Sequence, residues 1–166
     1  MVLPLSSFSV FTYSEVNCGL LPCPTMATRD AFHHIVRIAL QKDGWTVTHD
    51  PYPLPAGSLT LAIDLGAEQI IAADRGSQKI AVEIKSFLGQ SRISEFYGAL
   101  GQFITYRAAL EIQEKERVLY LAVPSDIFGE FLVMPFIRSL IEQNHVFLLI
   151  YDIDQEAIER WLPQWM

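Results

Sequence analysis

The segment Lys79-Ile-Ala-Val-Glu-Ile-Lys85 concentrates the residue types that do chemistry. Its character alternates with a period of two. A β-strand would therefore carry Ile80, Val82 and Ile84 on one face and Lys79, Ala81, Glu83 and Lys85 on the other. A lone Glu-x-Lys on a strand ordinarily marks a solvated face. This strand, however, falls in a meander with helices expected before and after it, where both faces of a sheet are covered. A carboxylate beside an ammonium group in such a place needs a reason, because both must be desolvated. A second carboxylate precedes them. If a two-residue hairpin is centred on Gly76-Ser77, Arg75 pairs with Gln78 and Glu68 falls opposite Lys85 on the same face. Asp64 lies further back and joins that face unless Gly66 forms a bulge. Glu83 with Asp64 or Glu68 is a hard-oxygen pair suited to Mg²⁺, with Mn²⁺ as a substitute. A lysine beside that pair orients a water and stabilises charge on a phosphate. Such a set suits metal-assisted phosphodiester hydrolysis.

These side chains must be held by elements that can be read from periodicity and breakers. Thr28 or Asp30 caps a helix whose apolar positions Phe32, Ile35, Val36, Ala39 and Leu40 recur at helical spacing, and Asp43-Gly44 ends it. Trp45 to His49 reads as a short strand, followed by a proline-rich loop to Gly57. Leu59 to Asp64, Gln69 to Asp74 and Lys79 to Ser86 form the three-stranded meander. Arg92 to Ile112 is a long helix that turns Ile93, Phe96, Leu100, Phe103 and Ile104 inward. On it Gln102 and Tyr106 stand four apart and are neighbours on one face. Alone, they are only a polar pair beside a core stripe. Val118 to Val123 and Val146 to Tyr151 are apolar runs of buried-strand length. A helix from Ser125 to Gln143, bent at Pro135, lies between them, and Asp154 to Trp161 is expected to close the chain as a helix. The resulting order implies an α/β domain: one mixed central sheet flanked by helices.

Composition sets the bounds. With 51% hydrophobic and 19% charged residues in 166, the chain has an ample core and is not disordered. Twelve Lys plus Arg against 19 Asp plus Glu leave a charge of −7, which opposes unaided binding to nucleic acid. The only cysteines, Cys18 and Cys23, build neither a disulfide framework nor a zinc site, which implies a cytoplasmic protein. Residues 1–25 differ in texture from the rest. Glu15 is their only charge, they lack the basic start of a secretory signal, and their apolar runs are too short to span a membrane. They are expected to be an N-terminal extension, disordered or upstream of a true start at Met26, with residues 26–166 forming a single domain. The apolar stretch Phe128 to Phe136 is expected in the core, with a docking face as its other role.

The order Asp or Glu, then Glu-x-Lys, then a helix with Gln-x-x-x-Tyr resembles the PD-(D/E)xK nuclease superfamily. Asp30-Ala-Phe-His33, Asp43-Gly-Trp45, Asp64-Leu-Gly-Ala-Glu68, Val82-Glu-Ile-Lys-Ser-Phe87, Ala99-Leu-Gly-Gln-Phe103 and Leu119-Tyr-Leu-Ala-Val123 together resemble the XisH family, named for controlling excision of the fdxN element. The resemblance implies a restriction-endonuclease-like core in the order αβββαβ, extended by αβα. It implies a part in programmed DNA rearrangement beside an XisI-type partner and a separate recombinase. In that frame Asp64, Glu68 and Glu83 are the metal-ligand candidates, Lys85 serves the attacking water, and Gln102 and Tyr106 position site or strand. Many superfamily members carry a glutamate after an aromatic residue on the first helix, whereas here Phe32 is followed by His33 and His34. The acidic balance points to partner-assisted contact with DNA. The alternative is a catalytically silent module that keeps the sheet to bind nucleic acid or the partner protein.

Overall fold

The computed structural model describes residues 24–56, 59–60 and 70–163. Most of the expected extension lies outside them, as do Asp64, Gly66 and Glu68. Helix α1 (Pro24–Lys42) begins four residues before Thr28, with a proline in the first turn, where its missing N–H costs nothing. It ends at Gly44, whose φ of +85° turns the chain while Trp45 N donates to Leu40 O at 3.0 Å. Strand β1 (Thr46–His49) follows. Next comes a separate two-stranded ribbon of β2 (Pro55–Ala56) and β3 (Leu59–Thr60), then β4 (Ile70–Arg75) and β5 (Gln78–Ile84). Helix α2 (Arg92–Gln113) leads to β6 (Arg117–Pro124). A single helical turn, α3 (Ser125–Ile127), runs into a π-helical stretch at Phe128–Leu132, and α4 (Pro135–Gln143) precedes β7 (Leu148–Asp152) and β8 (Ala157–Leu162).

The six-stranded sheet has the order β1-β4-β5-β6-β7-β8. Strands β5, β6 and β7 are parallel, and the flanking pairs β1–β4, β4–β5 and β7–β8 are antiparallel. Both faces are covered, which is why β6 and β7 read as unbroken apolar runs. On one face Val36 and Leu40 of α1 pack over Ile80, Val82, Ile84, Tyr120 and Leu149. On the other, Phe96, Phe103 and Leu110 of α2 join Ala81, Leu121, Leu132 and Ile141. The alternation of β5 between these two clusters is the one expected, and it puts Glu83 and Lys85 on the side of α2. Each fully buried large side chain here contributes roughly 1.5–3 kcal/mol. Helix α1 also reaches β8, and Trp45, just past the end of α1, meets Trp161 of β8 at 5.8 Å between ring centroids.

Four sequence expectations are corrected. Ile104, expected to turn inward, is exposed, because Phe103 and Tyr106 take the buried side of that turn of α2. Of the segment from Asp154 to Trp161, the first three residues are a turn and the rest belongs to the edge strand β8, not to a helix. A bulge at Glu159 offsets the β7–β8 ladder, so Ile158 and Trp161, three apart, pack on the same face and imitate helical spacing. The span from Ser125 to Gln143 is not one bent helix. Val133 N bonds back five residues to Phe128 O at 3.3 Å, the path opens at Met134, and Pro135 starts α4 afresh at its first position. The meander does not continue through Leu59: β4 takes β1 as its second neighbour, and the described part of the Leu59 strand pairs with Pro55–Ala56 instead. The hairpin itself has the expected register, with Arg75 opposite Gln78 and Ile70 opposite Glu83.

Candidate functional site

Near its carboxyl end, β5 presents Glu83 beneath α2, and Lys85 follows directly after the strand. Glu83 is completely buried and Lys85 nearly so, at 8% exposure. Leu110, Phe103 and Phe96 anchor α2 to the sheet, and that fixes which of its other side chains reach over β5. Lys85 Nζ lies 3.3 Å from Glu83 Oε1 and donates to Gln102 Oε1 at 2.6 Å. Carboxylate, ammonium and amide thus form one chain of charge-assisted contacts between strand and helix. Tyr106, one turn further along α2, is buried at 4% exposure. Of the six residues singled out in the sequence, Glu83, Lys85 and Gln102 are in a continuous chain of contacts, and Tyr106 lies on the same helix. Asp64 and Glu68 lie outside the described residues.

A further carboxylate stands on the Gln102 side of α2. Glu95, Ala99, Gln102 and Tyr106 recur at four, three and four residues and form one stripe. Glu95 Oε1 accepts from Gly89 N at 2.7 Å, which draws the loop after Lys85 onto the first turn of α2. A Cβ at position 89 would meet the Glu95 carboxylate, so the contact in this form suits glycine, and a larger residue would push aside the flexible end of Glu95. The stripe spacing was available in the sequence. The Gly89 contact was not, since it depends on how the loop folds back. Ser91 caps the same helix, its Oγ accepting from Ser94 N at 3.4 Å.

The histidines of α1 behave differently from each other. His33 Nε2 is 2.8 Å from Asp50 Oδ1, and Arg37 reaches the other oxygen of Asp50 at 3.3 Å, tying α1 to the loop after β1. His34 is exposed. At the amino end of β6 a denser ion cluster is built around Arg117, whose side chain is 4% exposed. It donates to Glu114 at 2.7 and 3.3 Å, to Asp74 at 3.1 Å and to the Ile80 carbonyl at 2.8 Å. Tyr52 and Lys79 each donate to Glu114 as well, both at 2.9 Å. Hydrogen bonding from Arg117, reinforced by Lys79 and Tyr52, holds the Glu114 carboxyl down at about 2. Every donor in this cluster already has an acceptor, so it is a clamp between α2, β4, β5 and β6 rather than a site. In the α1-side core the Tyr151 hydroxyl is buried, and desolvation pushes its ionisation upward.

Among the described residues no three His, Cys, Asp or Glu side chains stand together as a metal cage. Glu83 is a hard-oxygen donor of the type Mg²⁺ takes, and it needs at least one carboxylate from elsewhere in the chain to complete a site. No described helix is long and apolar enough to cross a membrane.

Fold and side chains together define an α/β protein with a mixed sheet covered on both faces and a carboxylate–ammonium–amide chain held under one covering helix. Residues 26–159 match the XisH family model, described as XisH protein. The chain belongs to the XisH family. An XisH family protein from Nostoc punctiforme PCC 73102 has a similar solved structure, with 50% sequence identity, a TM-score of 0.74, and coverage of 80% of this chain and 98% of that one. A second, described as an fdxN element excision controlling factor protein from Anabaena variabilis, is 49% identical with the same coverage and TM-score. No curated protein matches the chain.

Proposed function

We propose that this XisH protein takes part in programmed DNA rearrangement as an excision controlling factor, using a Mg²⁺-dependent phosphodiesterase site of PD-(D/E)xK type. The observation that carries this reading is Lys85, whose ammonium group touches both Glu83 and Gln102 at the carboxyl end of β5. Glu83, with Asp64 or Glu68, would hold the ion, which when bound supplies a Lewis acid and a water made more acidic. Lys85 would orient that water and offset charge on the scissile phosphate. Gln102 fixes the lysine, and Tyr106 supports the same helix face. The net charge of −7 favours delivery to DNA by an XisI-type partner in the cytoplasm rather than capture from solution.

A second reading, a catalytically silent module that binds nucleic acid or the partner, is favoured by the complete burial of Glu83. The two separate in one series. The wild-type chain and Glu83→Ala are titrated with Mg²⁺ and Mn²⁺ and followed by thermal unfolding. Cleavage of single- and double-stranded DNA and of RNA is then assayed with and without the partner. Metal stabilisation lost in Glu83→Ala, together with cleavage, supports the nuclease. No stabilisation of either protein ends the metal-site reading, and metal binding without cleavage in any combination leaves the silent module.

A further inference from the structure

Away from Glu83, two cavities open side by side at the amino ends of β6 and β7. One, of about 540 Å³, lies between the π-helical stretch, α4 and β8; the other, of about 430 Å³, lies against the carboxyl half of α2. They share His145 and Phe147 and so form one groove. The floor of the larger is apolar, with Phe128, Leu132, Ile141 and Leu162. Val133 on its wall is 45% exposed, and Met134 and Phe136, next in the chain, are exposed at 48% and 64%. The docking role offered by the Phe128 to Phe136 stretch therefore falls to its second half, while Phe131 and Leu132 are core.

Charge distinguishes this groove from the rest of the molecule. Arg107, Lys115, Arg138 and Arg160 line it against two carboxylates, Glu111 and Glu142. Arg117 also lines it but is spent on the Glu114 clamp. The groove is thus positive in a chain whose net charge is −7. Arg138 and Arg160 are accessible, with side chains 70% and 47% exposed. Their partners, Glu142 at 2.7 Å and Glu159 at 3.6 Å, are exposed too, and such surface pairs are weak enough for an incoming carboxylate to share or displace. We propose that this groove is the docking site for a segment of a partner protein that combines apolar with acidic side chains. Its apolar groups would fill the floor and its carboxylates would meet the arginine rim.

Other occupants fit the groove less well. Single-stranded nucleic acid would need open aromatic platforms. Phe103 is 1% exposed, Phe147 packs on Tyr120 at 5.7 Å, and Phe128 lies under Arg160 at 5.5 Å. A second copy meeting this face about a two-fold axis would bring like charges together. A small ligand would leave the Val133–Phe136 surface bare. The inference does not depend on the chemistry proposed at Glu83.

The test uses the full chain and a dye-labelled amphipathic peptide with Leu and Phe on one face and Glu on the other, read by fluorescence anisotropy. The control peptide has every Glu replaced by Lys. The Glu peptide is expected to bind at least about tenfold more tightly than the Lys peptide. The double reversal Arg138→Glu with Arg160→Glu should invert that preference; because the pairs it breaks with Glu142 and Glu159 are exposed, the unfolding temperature should fall by no more than about 5 °C. Equal binding of the two peptides, no binding of the Glu peptide, or indifference to the reversal would overturn the proposal. So would a single-stranded oligonucleotide whose binding is lost on the same reversal, which would assign the groove to nucleic acid. Self-association in sedimentation that Phe136→Asp abolishes would assign it to a second copy and overturn the proposal as well.

Discussion

Removing the Glu83–Lys85 pair whole, rather than breaking it, separates a chemical role from a folding role. Glu83 is fully buried and the Lys85 side chain is 9% exposed, with 3.3 Å between their charged atoms. Taking two ions out of water costs several kcal/mol each, and their attraction offsets this only in part. Glu83→Ala removes the carboxylate beside the buried Lys85 ammonium, which keeps its bond to Gln102, and should cost about 3–5 kcal/mol. At about 3 °C per kcal/mol for a domain of this size, the melting temperature falls by roughly 10–15 °C. The combination Glu83→Leu with Lys85→Met keeps the volume and removes both charges. Gln102, only half-buried, then turns to water. This double variant should melt at or above the wild-type temperature, by up to about 4 kcal/mol of added stability. Calorimetry in chelator-containing buffer measures both variants. A double variant as unstable as Glu83→Ala would mean that the pair holds the sheet to α2, and the argument that its burial needs a functional reason would fail.

Two further outcomes test the framework around the site. Glu114 is depressed from 4.5 to about 2 by Arg117, Lys79 and Tyr52, so its contribution is complete above about pH 4.5 and is lost as pH falls toward 2. With a quarter of its side chain exposed, that contribution is about 1–2 kcal/mol after solvent screening. Thermal melts between pH 7 and pH 3 should show Glu114→Gln less stable at pH 7 and converging on wild type in acid. Gly89→Ala should displace the Glu95 carboxylate and lose its bond to Gly89 N, at a cost of about 0.5–1.5 kcal/mol that largely disappears in a Glu95→Ala background, as a double-mutant cycle of unfolding free energies will report.

Local pattern and fold agree wherever neighbours in sequence are also neighbours in space. The alternation along β5 places Glu83 and Lys85 on one face, and the Gly76-Ser77 turn sets the register of its hairpin. The apolar stripe of α2 defines the long helix almost to the residue. What escaped is non-local or irregular. No spacing announces that β1 rather than the Leu59 segment lies beside β4, because that pairing joins segments more than 20 residues apart. The bulge at Glu159 breaks the alternation by which β8 would otherwise be recognised as a strand. Pro135 reads as a bend in one helix when it is the start of another. Within the site, Gln102 is suggested by its spacing to Tyr106, but its bond to Lys85 spans 17 residues of sequence and depends on how α2 lies over the sheet.

Both outer strands of the sheet carry an irregularity, at Thr48 in β1 and at Glu159 in β8. An open sheet grows by accepting another strand along a free edge, and each of these edges has one residue out of step with the ladder. A seventh strand would find its hydrogen bonds in phase on one side of the irregularity and out of phase on the other. The obvious routes to fibres and strand-swapped dimers are obstructed at both ends of the sheet. Contact with other macromolecules through side chains, Arg160 and Leu162 of β8 among them, does not need that ladder, and one such side chain can change without disturbing the register of the six strands. A protein whose parallel strands bury nearly every apolar group can thus acquire or discard partners while its interior stays fixed.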